Sequence, residues 1–402
     1  MQAIFTSASA VTVTGLTVVD TATVFTTTGK SVLIVLMQVG GFGVVSAATL
    51  VAVLITRRLD LDSRLAMQIE SGVSSVRGIR HLLFRILRFV VIFELAIAAW
   101  LTGVFTTRFE QQLGEAAFNG LFHAVAAFNN AGMSTFSTNL MDYATVPTIL
   151  LPVAVAIMVG GIGFPVLFEL KERWRKPASW SILTRISVFM SAALWTIPTM
   201  FYFSFENDNA STWGGFDTLH QWINAFFIAV VSRTAGFNAI DMASLDSESM
   251  LLTNILMFIG GGSAGTAGGI KVTTMGVLAY VVLAEVLGRK DVVVGRRRIS
   301  TAVQRQALSV FALGATIVIV ATFVLLAATP FTLEQILMEV ISAYATVGLS
   351  LGITSSLSVF AQFVIIALMF VGRIGPLVFA TAIALSTRKD VVRVPEERII
   401  IG

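Results

Sequence analysis

Long hydrophobic stretches with almost no charge alternate along this chain with short segments that are polar or rich in glycine. Five of the stretches are long enough to cross the ~30 Å hydrocarbon core of a bilayer as a helix. They are residues 32–55, 89–105, 186–205, 308–328 and 360–385. Composition agrees, because 56% of the residues are hydrophobic and only 12% are charged. The pattern predicts an all-α polytopic membrane protein.

One short motif occurs four times. Each copy ends in a glycine followed by a large apolar residue, and successive glycines are 117, 104 and 112 residues apart. The four motifs are Val13, Thr14 and Gly15; Asn130, Ala131 and Gly132; Thr234, Ala235 and Gly236; and Thr346, Val347 and Gly348. This spacing indicates four copies of one unit of about 110 residues.

A second landmark keeps the same phase. A glycine cluster within a long apolar helix follows each motif, and the clusters begin at Gly40, Gly160, Gly260 and Gly372. A helical stretch too short to span a bilayer precedes each motif. These stretches cover residues 2–11, 119–128, 221–232 and 333–344. Each unit is therefore predicted to contain an outer helix, a half-helix, a turn and an inner helix.

The landmarks divide the chain into four repeats with pseudo-fourfold symmetry. Repeat 1 is predicted to cover residues 1–80, repeat 2 residues 81–180, and repeat 3 residues 181–304. Repeat 4 and the C-terminal tail take residues 305–402. The first outer helix is absent, because the chain starts inside the half-helix, so we expect the sequence to begin part-way through the natural protein.

Half-helices that end within the membrane predict a cation pathway. The last carbonyls of a helix are unpaired, and the helix dipole places negative potential there. Rings of backbone carbonyls can then replace the hydration shell of an ion. Glycine permits the backbone angles that such a ring requires. The alternative is that these glycines only allow membrane helices to pack closely.

The four motifs resemble the filters of the Trk/Ktr/HKT superfamily of potassium transporters, and the KtrB-type subunit most of all. The likeness covers essentially the whole chain, including the tail with Arg393 that ends at Gly402. It implies that one chain forms a complete K⁺ pore lined by the four motifs. It also implies a homodimer on a cytosolic ring of nucleotide-binding, RCK-type regulatory subunits. Related plant transporters with serine in the first filter favour Na⁺, so Gly15 favours K⁺.

The third glycine cluster predicts a broken inner helix. Each glycine inside a helix costs ~1 kcal/mol relative to alanine, and this cluster has six in ten residues. The segment consists of Gly260, Gly261, Gly262, Ser263, Ala264, Gly265, Thr266, Ala267, Gly268 and Gly269. We expect a flexible loop beneath the filter, and the resemblance implies that this loop gates ion flow. Close helix packing by small residues is the alternative.

Arg373 stands where the other inner helices have a glycine. A charge at that depth is costly and usually faces a cavity or a partner. We expect Arg373 to bind carbonyls of the glycine-rich loop and to act as a positive constriction that repels K⁺ until the loop moves.

The basic residues indicate the orientation of the chain. Of the 27 lysines and arginines, 22 lie within residues 56–88, 171–185, 285–305 and 388–398. Basic segments favour the cytoplasmic side, so these segments and the C-terminus are predicted to face the cytoplasm of a bacterial inner membrane. Membrane lipid, and not nucleic acid, is then the expected surrounding for a chain with a net charge of +4.

Two classes of function remain open on the sequence. The first is gated, passive K⁺ uptake with K⁺ as the transported ion, Na⁺ as a candidate modulator and no covalently bound cofactor. The second is an ion-coupled secondary transporter of K⁺ or Na⁺ with inverted repeats, which the uniform orientation of the four repeats disfavours. An enzyme is not predicted, because no acid–base pair, nucleophile or metal-ligand cluster stands out.

Overall fold

The computed structural model describes residues 1–57, 76–295 and 297–375. The end of the predicted stretch 360–385 and the tail with Arg393 and Gly402 lie outside these residues. The described part contains helices throughout and one small hairpin, in which strand β1, Val293–Val294, pairs antiparallel with strand β2, Arg297–Arg298. This hairpin is a minor departure from the all-α prediction.

The helices follow one another in the order that the hydrophobic pattern predicts. In chain order they are α1 Gln2–Thr12, α2 Thr21–Val24, α3 Thr27–Arg57, α4 Val76–Phe109, α5 Leu113–Phe128, α6 Pro147–Gly161, α7 Phe164–Arg173, α8 Ile182–Glu206, α9 Thr218–Val231, α10 Ser247–Phe258, α11 Val272–Val286, α12 Thr301–Ala328, α13 Leu333–Ala345 and α14 Val359–Ile374. Short 3-10 turns lie at Met141–Tyr143, Pro177–Ser179, Met242–Ser244 and Thr354–Ser356.

The half-helices are α1, α5, α9 and α13, with 11, 16, 14 and 13 residues. All are shorter than a membrane span needs. Helix α5 begins six residues before the predicted start at residue 119. Helix α13 begins with a capping box, in which Thr332 and Gln335 satisfy each other's backbone amides. The half-helices form the buried centre of the molecule, and Ala124, Ala126 and Ala127 of α5 have no exposed surface.

The outer helices are α4, α8 and α12. Among the described residues, α8 and α12 are long and apolar enough to cross a membrane, and the bent pair of α6 and α7 would be a third span. Large apolar side chains such as Phe323, 75% exposed, and Phe189, 66% exposed, lie on the outside of these helices. A lipid-facing surface explains such exposure.

The inner helices differ from one another in continuity. Helix α3 runs without a break past Gly40, whereas the third inner helix is divided into α10 and α11, as predicted. The second inner helix was predicted to be one continuous helix, and this was wrong. It bends by 99° between α6 and α7, where Gly163 has a φ of 103° that does not fit a right-handed helix.

Candidate ion pathway

The four filter glycines lie next to one another in a closed ring, here called the filter ring. A Cβ atom built on Gly15 would lie 3.3 Å from the Cα atom of Gly132, and one on Gly132 would lie 2.8 Å from that of Gly236. A Cβ atom on Gly236 would lie 2.9 Å from the Cα atom of Gly348, and one on Gly348 would lie 3.1 Å from that of Gly15. The repeats therefore surround one axis in chain order, with no room for a side chain between neighbours.

All four turns of the filter ring share one backbone conformation. The glycines have φ angles of 93°, 63°, 69° and 103° in chain order. The residues two positions earlier, Val13, Asn130, Thr234 and Thr346, have φ angles of 56°, 59°, 86° and 52°. Residues with side chains rarely adopt such angles. Positive φ angles therefore recur at the same two positions of every turn.

Backbone carbonyls face the filter ring. A side chain added to any ring glycine would collide with the carbonyl oxygen of the residue before the next glycine. Those oxygens belong to Thr14, Ala131, Ala235 and Val347. Four carbonyls, one from each repeat, thus converge where the four half-helices end. Such a group of oxygens can coordinate a dehydrated cation.

The half-helices fix the turns by binding their amides. The amides of Thr14, Ala131 and Val347 donate to carbonyls five residues earlier, at distances of 2.8, 2.7 and 2.8 Å. In repeats 1 and 4 a serine adds a second contact, because Ser9 Oγ accepts from the Gly15 amide and Ser342 Oγ accepts from the Gly348 amide, both at 3.0 Å. These five amides are thereby satisfied within their own repeats, so they do not compete for the carbonyls at the ring.

Glycines of the inner helices allow those helices to touch the half-helices. A Cβ atom on Gly40, Gly160 or Gly372 would collide with a carbonyl oxygen of the last turn of the neighbouring half-helix. Close packing is therefore a structural role of these three glycines. In repeat 3 the corresponding Gly260 lies against Gly268 of its own loop instead.

The glycine-rich segment forms a loop beneath the filter ring. Its two ends are joined, because the Gly260 amide donates to the Ile270 carbonyl at 2.8 Å. Its middle lies against the break in the second inner helix, where the Gly262 amide donates to the Gly161 carbonyl at 2.7 Å and the Phe164 amide donates to the Ala264 carbonyl at 3.1 Å. The two broken inner helices thus hold each other.

Thr266 connects this loop to the second filter. Its hydroxyl donates to the carbonyl of Phe128, at the end of α5, at 3.0 Å. The same hydroxyl accepts from the side-chain amide of the filter residue Asn130, also at 3.0 Å. The loop therefore lies directly below the filter, as the sequence predicts.

Three cationic side chains donate to carbonyls of the loop. Arg373 donates to the Thr266 carbonyl and also, at 2.9 Å, to the Gly40 carbonyl of α3. Lys271 donates to the Ala267 carbonyl at 2.6 Å, and Arg233 donates to the Gly260 carbonyl at 3.2 Å. Among the described residues none of these cations forms an ion pair with a carboxylate. The positive charges around the loop are therefore bound by backbone carbonyls and not by carboxylates.

Three of these contacts were missed by sequence reasoning, and one of them is the contact of Lys271 with the Ala267 carbonyl. Arg233 directly precedes the third filter, and the sequence offered a signal in its charge within an apolar segment. The contact between Arg373 and Gly40 joins residues 333 positions apart, and no local pattern indicates it. The predicted filter residues, by contrast, are all found at the ring or in its turns.

A polar cavity, here called the outer vestibule, opens on the other side of the filter ring. Its volume is about 310 Å³, and its lining includes Gly15, Gly236 and Gly348 together with Ser137, Thr138, Asn139, Asn238, Ser350 and Thr354. Asp20 lies behind Ser137. Burial raises the pKa of Asp20, but hydrogen bonds from Ser137 and Ala22 and the charge of Lys30 outweigh this effect and leave the pKa below its ordinary value.

Comparisons with known proteins agree with this architecture. The family model described as TrkH, a cation transport protein, matches residues 1–391. The chain is 36% identical to Ktr system potassium uptake protein B of Bacillus subtilis over 404 residues, covering 100% of this chain and 89% of that protein. It is 33% identical to the protein of the same name from Vibrio alginolyticus, covering 100% and 88%, and 31% identical to the potassium/sodium uptake protein NtpJ of Enterococcus hirae, covering 100% and 90%.

A solved structure shows the same fold. The potassium transporter TrkH from Vibrio parahaemolyticus superposes with a TM-score of 0.73 at 22% identity, covering 96% of this chain and 78% of that one. The match of the family model over nearly the entire chain, together with relatives above 30% identity, shows the family. The chain belongs to the TrkH family of cation transport proteins, which are membrane transporters and not enzymes.

Proposed function

We propose that the chain carries out gated K⁺ uptake through the filter ring. The observation that supports this proposal best is the convergence of four carbonyls, one from each repeat, at the ends of four half-helices. Each half-helix adds the negative end of its dipole to the same point. The site is therefore suited to a cation without its hydration shell, and the names of the relatives in Bacillus and Vibrio favour potassium.

Selectivity is expected to be less stringent than in tetrameric K⁺ channels. Each filter has one glycine, whereas the channel signature has two and forms several successive carbonyl rings. The described turns accordingly supply fewer well-ordered ion sites. The relative from Enterococcus is named for both potassium and sodium, so Na⁺ competition belongs in every transport measurement.

The glycine-rich loop and Arg373 are proposed to form the gate. The loop lies directly beneath the filter, and Arg373 ties it to the first inner helix through the Thr266 and Gly40 carbonyls. A K⁺ ion leaving the filter would meet three cations that have no carboxylate partner among the described residues. If the loop moved away from the axis, its carbonyls would draw these cations with it. The electrostatic barrier to the ion would then be removed.

The assembly is proposed from the family resemblance. A homodimer in the bacterial inner membrane, seated on a cytosolic RCK-type ring, would place nucleotide sensing in a separate subunit. The C-terminus is proposed to face the cytoplasm, because basic residues are concentrated in the tail and in the linkers that follow the inner helices. Co-purification with such a subunit, and a change of flux when its nucleotide is exchanged, would test this assembly.

The decisive experiment is rescue of a bacterium that lacks its own K⁺ uptake systems. Expression of the chain, with and without a regulatory subunit, is expected to restore growth at low external K⁺. Flux in proteoliposomes should then follow the K⁺ gradient without added Na⁺. An absolute requirement for a Na⁺ or proton gradient would instead support the ion-coupled secondary transporter.

A further inference from the structure

Several hydroxyl groups that line the outer vestibule have a carboxylate behind them. Ser137 Oγ donates to Asp20 at 2.7 Å, and Thr138 Oγ1 donates to Asp142 at 2.6 Å. On the side of repeat 4, Ser350 Oγ and Thr354 Oγ1 donate to the two carboxylate oxygens of Glu339, at 2.7 and 2.6 Å. The arrangement recurs on two sides of the cavity.

This arrangement determines which ions the cavity can attract. A hydroxyl group has one hydrogen and two lone pairs. When the hydrogen is donated to a carboxylate behind it, only lone pairs remain for the cavity. Ser350 Oγ also accepts from the Gly352 amide at 3.0 Å, so one of its lone pairs is already in use. The remaining lone pairs of these hydroxyls are oxygen acceptors, which solvate a cation and not an anion.

Glu339 differs from the other two carboxylates in its burial. It lies in the middle of α13 with no exposed surface, whereas Asp142 is exposed. In the part of the chain that the structure describes, no lysine, arginine or histidine pairs with it. A buried charge without a partner is costly, and its hydroxyl donors border the vestibule. A cation in the vestibule would lie beside these donors and would offset the charge.

The other repeats show that this position is not acidic by structural necessity. The residues nine positions before the filter glycines are Thr6, His123, Phe227 and Glu339. His123, in repeat 2, contacts the Asn119 carbonyl through Nδ1 at 2.8 Å and Ser134 Oγ through Nε2 at 2.9 Å. Because a carbonyl only accepts, Nδ1 of His123 donates to it. Nε2 then contacts Ser134 in the segment after the filter, as Glu339 contacts Ser350 and Thr354 in repeat 4. Only repeat 4 supplies that contact with an acid.

We propose that Glu339 is a positioning residue for cation uptake that acts through Ser350 and Thr354. Its charge orients the two hydroxyls and makes the outer vestibule a site where a partly hydrated monovalent cation waits before it enters the filter ring. The inference rests on the proposed function, because it assigns the extracellular step of the same pathway.

The test measures initial Rb⁺ uptake, as a tracer for K⁺, against external concentration in proteoliposomes. Glu339→Gln is expected to raise KM about fivefold with little change in the maximal rate, which is the scale of one charge acting across a few ångströms of partly watery space. Glu339→Asp should restore most of the affinity. An unchanged KM in Glu339→Gln would overturn the inference.

Glu206 provides a matched control. It is also fully buried, at the end of α8, and it accepts from Thr212 Oγ1 at 2.9 Å and from the Asp246 amide at 3.0 Å. Unlike the donors to Glu339, none of these donors lines the vestibule. Glu206→Gln should therefore alter stability without altering KM. An equal rise of KM in both variants would show a general effect of removing buried charge and would also overturn the inference.

Two further measurements keep the inference separate from folding and from the proposed function. If Glu339→Gln does not fold, Thr354→Val is expected to raise KM about twofold, and an unchanged KM would decide against Glu339. Rb⁺ should also stabilise the purified protein against unfolding, and this measurement requires no transport. The Rb⁺ concentration at the midpoint of this stabilisation should be about fivefold higher in Glu339→Gln. Absence of transport by the parent protein would refute the proposed function, whereas equal midpoints would refute the vestibule site.

Discussion

At the filter ring the four repeats are nearly alike, whereas at the level of the inner-helix glycine clusters each repeat is different. All four turns have the same pattern of φ angles, and all four glycines touch their neighbours. Below them, the first inner helix is continuous, the second is bent by 99°, and the third is interrupted by the glycine-rich loop. The fourth carries Arg373.

This difference separates two tasks. Coordination of an ion on an axis requires equal contributions from all sides, so the ring tolerates little variation. Control of ion flow requires one element that moves while the others stay fixed. A single repeat that differs from the other three is sufficient for this. The following predictions test whether the filter ring serves conduction and whether the level of the inner-helix glycine clusters serves control.

The largest effect is expected from a side chain in the ring. Gly132→Ala would place a Cβ atom 2.8 Å from the Cα atom of Gly236, and overpacking of this kind costs about 1–3 kcal/mol. K⁺ uptake should fall at least tenfold, by roughly the factor that this energy represents. Gly288→Ala is the control, because Gly288 has a similar φ of 61° but nothing within 4 Å. Normal uptake by Gly132→Ala would contradict a pathway through the ring.

Removal of the Arg373 side chain should act in the opposite direction. Arg373→Ala deletes the contacts to the Thr266 and Gly40 carbonyls together with a positive charge on the pathway. Basal K⁺ flux without a regulatory subunit should rise about tenfold, on the scale of one charge-assisted hydrogen bond. Arg305→Ala, at an exposed position of α12, should leave flux unchanged. Reduced flux in a folded Arg373→Ala protein would rule out an inhibitory role.

A side chain at the first filter should lower total uptake, as Gly132→Ala does, and should in addition alter selectivity. Gly15→Ser adds a side chain toward Gly132, 3.3 Å from its Cα atom, and distorts the spacing of the carbonyls. The ratio of Na⁺ to K⁺ uptake should rise about threefold, a difference of less than 1 kcal/mol between the two ions. Parallel uptake assays with each ion measure this ratio, and Gly215→Ser, in an open loop position, is the control. Equal ratios in all three proteins would count against the filter assignment.

The smallest effect is expected behind the ring. Ser342→Ala removes the hydroxyl that accepts from the Gly348 amide at 3.0 Å, a contact of about 1 kcal/mol. Repeat 2 has Ala126 at the corresponding position, so uptake should decrease by no more than about twofold. Ser309→Ala, which removes only a contact to the Arg305 carbonyl on α12, should have no effect on uptake. A large loss in Ser342→Ala would show that the repeats are less equivalent than their backbones suggest.

Much of the candidate site was predictable because its signals are local. A glycine that needs a positive φ, such as Gly15, indicates a turn at its own position. The length of an apolar stretch indicates the length of the helix that the same residues form. The loop at 260–269 was predicted for the same reason, since clustered glycines weaken a helix wherever they occur. The boundaries of the four repeats and the roles of the gate residues stay predictions.

The bend after Gly161 could not be predicted in the same way. Its glycine cluster resembles that of the continuous first helix, and the difference lies in the partner. The Gly161 carbonyl accepts from Gly262, and the Phe164 amide donates to Ala264, so the loop of repeat 3 satisfies the peptide groups that the bend exposes. A break that depends on a partner 100 residues away has no local signature.

The amino-acid sequence by itself determined the membrane class, the four half-helices and the glycine turns, because these depend on hydrophobicity and on backbone preferences within a few residues. Only the tertiary structure decided that the four turns close into one ring, that Arg373 reaches both Thr266 and Gly40, and that Glu339 lies behind the vestibule. Contacts of that kind depend on how distant segments pack around the axis, and packing is a property of the whole chain.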